Sequence, residues 1–226
     1  MDLDVLYLDN HLLAVNKPPG LLTQPSGTTQ DNLEDQAKIW LKKKFDKPGN
    51  VFLEAVHRID KPVSGIVLFA RTSKALSRLQ KSVREKDCSK RYLATVEGIP
   101  KNKEAILEHY LVHDSHFSRV SGSQEKEAKF ARLRYKVLGS RNGKSLLEIN
   151  LETGRYHQIR VQLAEIGLPI VGDTKYGSGV VACRGIALHH SRLEIPHPIH
   201  KNIQLIEAKV PKGLFLDLST DPKTPE

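Results

Sequence analysis

Residues 130–151 read Phe130-Ala131-Arg132-Leu133-Arg134-Tyr135-Lys136-Val137-Leu138-Gly139-Ser140-Arg141-Asn142-Gly143-Lys144-Ser145-Leu146-Leu147-Glu148-Ile149-Asn150-Leu151. Two runs suited to strands, Phe130 to Leu138 and Leu146 to Leu151, flank Arg141-Asn142-Gly143. Asn-Gly supplies the two left-handed positions that a tight hairpin turn requires, so this stretch predicts paired antiparallel strands.

Other stretches extend the pattern. Val5 to Tyr7 and Leu12 to Val15 straddle Asp9-Asn10 and predict a second hairpin. Gly65 to Ala70 reads as a buried strand; Tyr92 to Glu97, Ile186 to Ile195 and Ile203 to Lys209 read as further strands. A helix is predicted from Leu33 to Phe45, with Leu33, Ala37 and Trp40 at helical spacing, Asp31 and Glu34 as a capping box, and Lys47-Pro48-Gly49-Asn50 as its stop. A second runs from Ser73 to Lys86, with Leu76, Leu79 and Val83 on one face. A third runs from His157 to Ile166 and stops at Gly167. Ala105 to Val120 shows no clear period, Ser121 to Lys126 reads as an exposed mobile loop, and the tail after Leu218 reads as frayed. Strands in hairpins outnumber helices, which predicts a mixed α+β fold with a mainly antiparallel sheet and flanking helices. No repeat or long linker divides the chain, so one domain is expected over residues 1–218, followed by a tail.

Composition narrows the class. Of 226 residues 39% are hydrophobic, enough for a core, and no apolar run approaches membrane-spanning length. The acidic start, Met1-Asp2-Leu3-Asp4, lacks a secretory pattern. Cys88 and Cys183 form neither a metal spacing nor a disulfide framework, which predicts a cytoplasmic protein. Lys plus Arg number 35 against 26 Asp plus Glu, a net charge of +9 that favours nucleic acid as partner.

The chemistry-bearing stretch is His57-Arg58-Ile59-Asp60, followed by Pro62-Val63-Ser64-Gly65. In extended backbone Arg58 and Asp60 point to one side, and an adjacent cation favours the charged carboxylate a nucleophile or cation-stabiliser needs. A second stretch, residues 154–177, opens with Gly154-Arg155-Tyr156-His157-Gln158-Ile159-Arg160 and closes with Gly172-Asp173-Thr174-Lys175-Tyr176-Gly177. Leu12-Leu13-Ala14-Val15-Asn16-Lys17-Pro18-Pro19-Gly20 and Lys90-Arg91-Tyr92-Leu93-Ala94 complete an ordered set. Together these four resemble the motifs of the RluA-type pseudouridine synthases, from about residue 5 to about residue 210.

The resemblance implies a pseudouridine synthase-like catalytic domain that isomerises uridine in rRNA or tRNA without a cofactor. The family's N-terminal S4-type RNA-binding domain finds no room before the opening motif. Asp60 is implied as the essential catalytic residue, whether it attacks the sugar, attacks the base or removes a sugar proton. Arg58 resembles the residue associated with base flipping, Tyr92 the tyrosine that stacks on the target base, and Arg155 the arginine that pairs with the aspartate. Arg160 is expected to face RNA or another carboxylate, His157 to be structural or to touch RNA, and Gln158 has no assigned chemistry.

His189, His190, His197 and His200 raise the question of a metal, but adjacent strand residues face opposite ways, and none is expected. No phosphate loop or dinucleotide fingerprint is present. No membrane and no obligatory protein partner are expected. Lys42-Lys43-Lys44 and the helix Ser73 to Lys86 are candidate specificity surfaces, or plain solvated faces. Ile59, Val63 and Tyr156 depart from the commonest family residues, and Tyr156, where threonine is usual, stands beside Arg155. Two other readings are a carboxylate-dependent hydrolase, weakened by the lack of a second acid or metal set, and a non-catalytic RNA-binding protein of this fold.

Overall fold

The computed structural model describes residues 3–27, 29–182, 185–211, 213 and 215–216. In chain order the first elements are β1 (Val5–Leu8), β2 (Leu12–Lys17), α1 (Leu33–Lys44), β3 (Glu54–Ala55), β4 (Ser64–Ala70), α2 (Ser73–Glu85) and β5 (Ser89–Glu97). Then follow β6 (Glu104–Asp114), β7 (Phe117–Ser121), β8 (Lys129–Arg141), β9 (Lys144–Leu151), α3 (Gln158–Glu165), β10 (Leu188–Pro196) and β11 (Ile203–Glu207). The described residues form two compact units, one built from those up to Arg91 with His189–Val210, the other from those within Tyr92–Leu188. The expected tail after Leu218, and Cys183, lie outside the described residues.

In the first unit β1 pairs antiparallel with β2, and β2 with β4. The other edge of β4 is shared, with β10 running parallel beside Ser64-Gly65 and β3 antiparallel beside Phe69-Ala70. β11 closes on β10, antiparallel. Every residue of β4 is buried, as its unbroken apolar run predicts. Leu12, Ala14, Ile66, Leu68 and Ala70 pack with Ala75 and Leu79 of α2 and with Leu193, Ile195 and Ile206. Each such aliphatic side chain taken fully from water contributes roughly 1.5–3 kcal/mol.

Gly65 fixes this arrangement. Its φ is +114°, and a Cβ there would lie 2.3 Å from the backbone oxygen of His190. Only glycine lets β10 come in beside β4.

The cap of α1 differs from the capping box expected at Asp31 and Glu34. Asn32 is the N-cap, its side chain accepting from the Asp35 amide at 2.9 Å. Glu34 instead bonds Lys38 at 2.8 Å and Gln24 at 3.0 Å. Asn caps as well as Asp does, so the cap moves one residue while the helix starts at Leu33 as expected, with Leu33 buried. α2 follows its expectation, with Thr72 capping the Ala75 amide and Lys86 ending it in the left-handed conformation.

In the second unit the strand order is β5-β9-β8-β6-β7. The predicted Asn-Gly hairpin joins β8 and β9, with Asn142 and Gly143 at φ of 52° and 70°. β6 and β7 form a hairpin within the segment that showed no period. On its other side β6 pairs with β8, where exposed Glu108 lies 2.9 Å from Arg132. On α3 the buried Ile159, Val161 and Leu163 face inward, Val161 joining Leu111 and Ala131. The architecture is the expected mixed α+β fold, mainly antiparallel, with β10 running parallel to β4.

Candidate active site

Asp60 lies on the loop between β3 and β4, half-buried, and its carbonyl accepts from the Val63 amide at 3.0 Å, closing a turn. Both of its neighbours are pinned. Thr23 Oγ1 donates to the Ile59 carbonyl at 2.9 Å and accepts from the Ile59 amide at 3.4 Å. The Lys61 carbonyl accepts from the Gly20 amide at 2.8 Å and from Lys17 Nζ at 3.2 Å. Ile59 and Val63 are buried, so the carboxylate stands on a fixed base, while Arg58 is exposed on the same loop.

Lys17 is a residue to which sequence reasoning gave no role, although it lies in the Asn16-Lys17-Pro18-Pro19-Gly20 motif. It is fully buried, and its ammonium donates to the carbonyls of Pro18 (3.0 Å), Leu21 (2.8 Å) and Lys61. Three N–H groups thus meet three acceptors. Burial lowers its pKa to about 7, against an opposing pull from the charge of Asp60.

Behind the loop, His57 Nε2 accepts from the Leu68 amide at 3.3 Å, and its ring meets His190 edge-on at 5.2 Å. Burial holds His57 far below the ordinary histidine range, with His190 and Lys90 acting in the same direction. The adjacent histidines of β10 point apart. His189 bonds Ser64 and the Ala208 carbonyl, whereas His190 bonds the Ile66 carbonyl at 2.8 Å. Among the described residues no three His, Cys, Asp or Glu side chains gather as metal ligands.

In the second unit Tyr92 sits on β5, buried, and Arg155 is exposed on the turn before α3. Arg155 Nε donates to the Phe130 carbonyl at 2.9 Å. Arg160 faces a carboxylate, one of its two expected surroundings, in a buried bidentate pair with Asp173 at 2.7 and 2.8 Å. His157 takes the structural place. Its Nδ1 lies 2.8 Å from the Tyr176 hydroxyl, and burial lowers its pKa to about 3, leaving it neutral. Tyr156 stacks on His157 at 3.9 Å and meets His113 at 4.2 Å, so the unusual ring is held by neighbours.

The chemistry available is that of a rigidly mounted carboxylate in one unit, and of a buried tyrosine and an exposed, backbone-anchored arginine in the other. Comparison with known proteins agrees with the sequence motifs. Residues 11–165 match the family model described as RNA pseudouridylate synthase. The chain is 32% identical over 215 residues to the RNA pseudouridine synthase YhcT of Bacillus subtilis, covering 94% of this chain and 70% of that one. It is 33% identical over 210 residues to the dual-specificity RNA pseudouridine synthase RluA of Haemophilus influenzae, covering 92% and 93%. The solved structure of human RNA pseudouridylate synthase domain containing 4 superposes with a TM-score of 0.77 at 23% identity, over 92% of this chain and 88% of that one, and so shares the fold. The family match across the carboxylate loop and the turn before α3, and the length over which these relatives align, establish that this chain belongs to the RNA pseudouridylate synthase family.

Proposed function

We propose that this protein converts specific uridines of structured rRNA or tRNA into pseudouridine, with Asp60 as the catalytic carboxylate and no cofactor. The N1–C1′ bond breaks, the uracil turns, and C5 bonds to C1′. The C5 hydrogen leaves as a proton and N1 takes one up, so the reaction balances without a redox partner. The observation that supports this reading is the mounting of Asp60, half-buried between residues tied down by Thr23, Gly20 and Lys17. A preorganised carboxylate stabilises a cation-like sugar without reorganising at the moment of reaction.

In this proposal Arg58, exposed beside Asp60, assists base flipping, because a stacked uridine must leave the helix to be reached. Tyr92 offers a ring face that holds uracil without fixing its rotation. Arg155 serves as the aspartate's cationic partner. Residues 1–218 act as one catalytic domain in the cytoplasm with no obligatory protein partner. Phosphate contacts fall to basic surfaces such as exposed Lys42, Lys43 and Lys44 at the end of α1, and Lys74, Lys81 and Arg84 of α2.

The test is pseudouridine mapping of rRNA and tRNA treated with purified wild-type or Asp60→Asn protein. The expected result is one or a few new pseudouridines with wild type and none with the variant, at nearly unchanged RNA affinity. RNA binding without isomerisation by wild type would select the non-catalytic reading. Equal turnover by Asp60→Asn would remove Asp60 from its role.

A further inference from the structure

The turn that carries Arg155 lacks the usual device for opening a helix. His157, the N-cap of α3, has a left-handed φ of 53° and makes no side-chain cap bond. Gln158, the first residue of α3, closes the turn instead. Its Oε1 accepts from the hydroxyl of Thr153 at 2.8 Å and from the amide of Arg155 at 3.0 Å. Its Nε2 donates to the Arg132 carbonyl on β8 at 3.1 Å. The Gln158 amide donates to the Arg155 carbonyl at 3.1 Å, so Arg155 is gripped on both sides of its backbone.

The carboxamide orientation is set by its partners. The Arg155 amide can only donate and the Arg132 carbonyl can only accept, so oxygen and nitrogen have one arrangement that satisfies both. Thr153 extends the tie, since its Oγ1 also accepts from the Arg132 amide at 2.8 Å. Gln158 is 3% exposed, which places these bonds away from competing water. The guanidinium, anchored through Nε to the Phe130 carbonyl, is thus the exposed end of an arm whose base is clamped to β8.

We infer that Gln158 is a positioning residue for the reaction, aiming Arg155 through its backbone without touching the substrate. This rests on the proposed role of Arg155. The residue type follows from the geometry. Methionine has the length but offers neither acceptor nor donor. Glutamate keeps the acceptor and sets a second oxygen against the Arg132 carbonyl.

The experiment compares wild type, Gln158→Met, Arg155→Ala and the double variant on an RNA that wild type modifies. Turnover at saturating RNA should fall about 10- to 100-fold in Gln158→Met, the scale of a small misplacement of a reacting group, with RNA affinity within about twofold. The double variant should be no slower than Arg155→Ala alone, and Gln158→Glu should fall between wild type and Gln158→Met. Independently of turnover, amide hydrogen exchange should quicken at Arg155 in Gln158→Met and stay unchanged at Val161 and Leu163. Wild-type turnover in Gln158→Met, losses that multiply in the double variant, or unchanged exchange at Arg155 would overturn the inference. If wild type modifies no RNA, the functional reading fails while the exchange measurement still decides whether Gln158 holds the turn. Should Gln158→Met fail to fold, Gln158→Glu carries the same comparison.

Discussion

Lys17 Nζ reaches across 44 positions of sequence to the carbonyl of Lys61, the residue that follows Asp60. The same carbonyl accepts the Gly20 amide, so the Asn16 to Gly20 segment acts as a bracket for the carboxylate loop. Lys17→Met keeps most of the volume, removes the lysine's donor from the Pro18 and Leu21 carbonyls, and leaves the Lys61 carbonyl with the Gly20 amide. Unmet buried acceptors cost about 1–3 kcal/mol each, less where relaxation admits water. The variant should unfold at lower urea concentration, and its turnover should fall more than its RNA affinity. Unchanged turnover in a folded Lys17→Met protein would show that the bracket is dispensable.

Breaking the buried Arg160–Asp173 pair should cost more than any surface change. Asp173→Asn takes the carboxylate's charge away from a buried guanidinium, a loss of about 3–5 kcal/mol. Chemical denaturation of the purified variant measures it. A loss below about 1 kcal/mol would mean that the site relaxes enough to admit water.

Gly65→Ala places a methyl group 2.3 Å from a backbone oxygen at a φ of +114°. Neither side of that contact is a flexible side chain. The expected result is a destabilisation of at least about 3 kcal/mol, or no soluble protein, from combined steric overlap and backbone strain. Gly143→Ala is the control, because a Cβ there meets open space, and only the cost of its positive φ should appear.

The buried histidines set an acid limit. His157 and His190 have folded-state pKa values of about 3, burial being the main cause, against 6.5 when unfolded. The unfolded chain therefore binds more protons between pH 3 and 6.5, and stability must fall as pH drops through that window. At pH 5 each contributes a loss of roughly 2 kcal/mol. Thermal melts at pH 7 and pH 5 should show this drop, and His157→Gln should lessen it. A melting temperature independent of pH in this range would contradict the assignment.

Tyr92→Ala should lower turnover more than RNA affinity, because phosphate contacts supply most of the binding. Equal losses in turnover, affinity and thermal stability would mark Tyr92, which is buried on β5, as a support of the fold alone.

Local chemistry decided how much was readable beforehand. The β8–β9 hairpin announced itself through Asn142-Gly143, and β4 through an apolar run too continuous for a half-exposed strand. The β6–β7 hairpin stayed hidden, since Ile106 and Tyr110 lie on its exposed face while the polar His109 lies on the more buried one, which blurs the apolar alternation. The cap of α1 moved one residue because two adjacent side chains had equal capping ability. Arg58 and Asp60 stood out as a same-side charge pair as well as through a family motif, whereas Tyr92 and Arg155 stood out only through family motifs. The grip of Lys17 and Gln158 was not legible, because a side chain bound to backbone carbonyls leaves no mark in residue pairing. Tertiary distance alone reveals it.

The pairing of Ser64-Gly65 with His189-His190 joins segments about 125 positions apart. Such contacts are slow to form, since a long loop must close before they give anything back. On the ribosome the strand following Asp60 therefore waits for about 125 further residues to be made before it gains its parallel neighbour. The bed of the carboxylate loop is completed long after its motif has been made, and a nascent chain released before β10 carries the motif without the scaffold that makes it an enzyme.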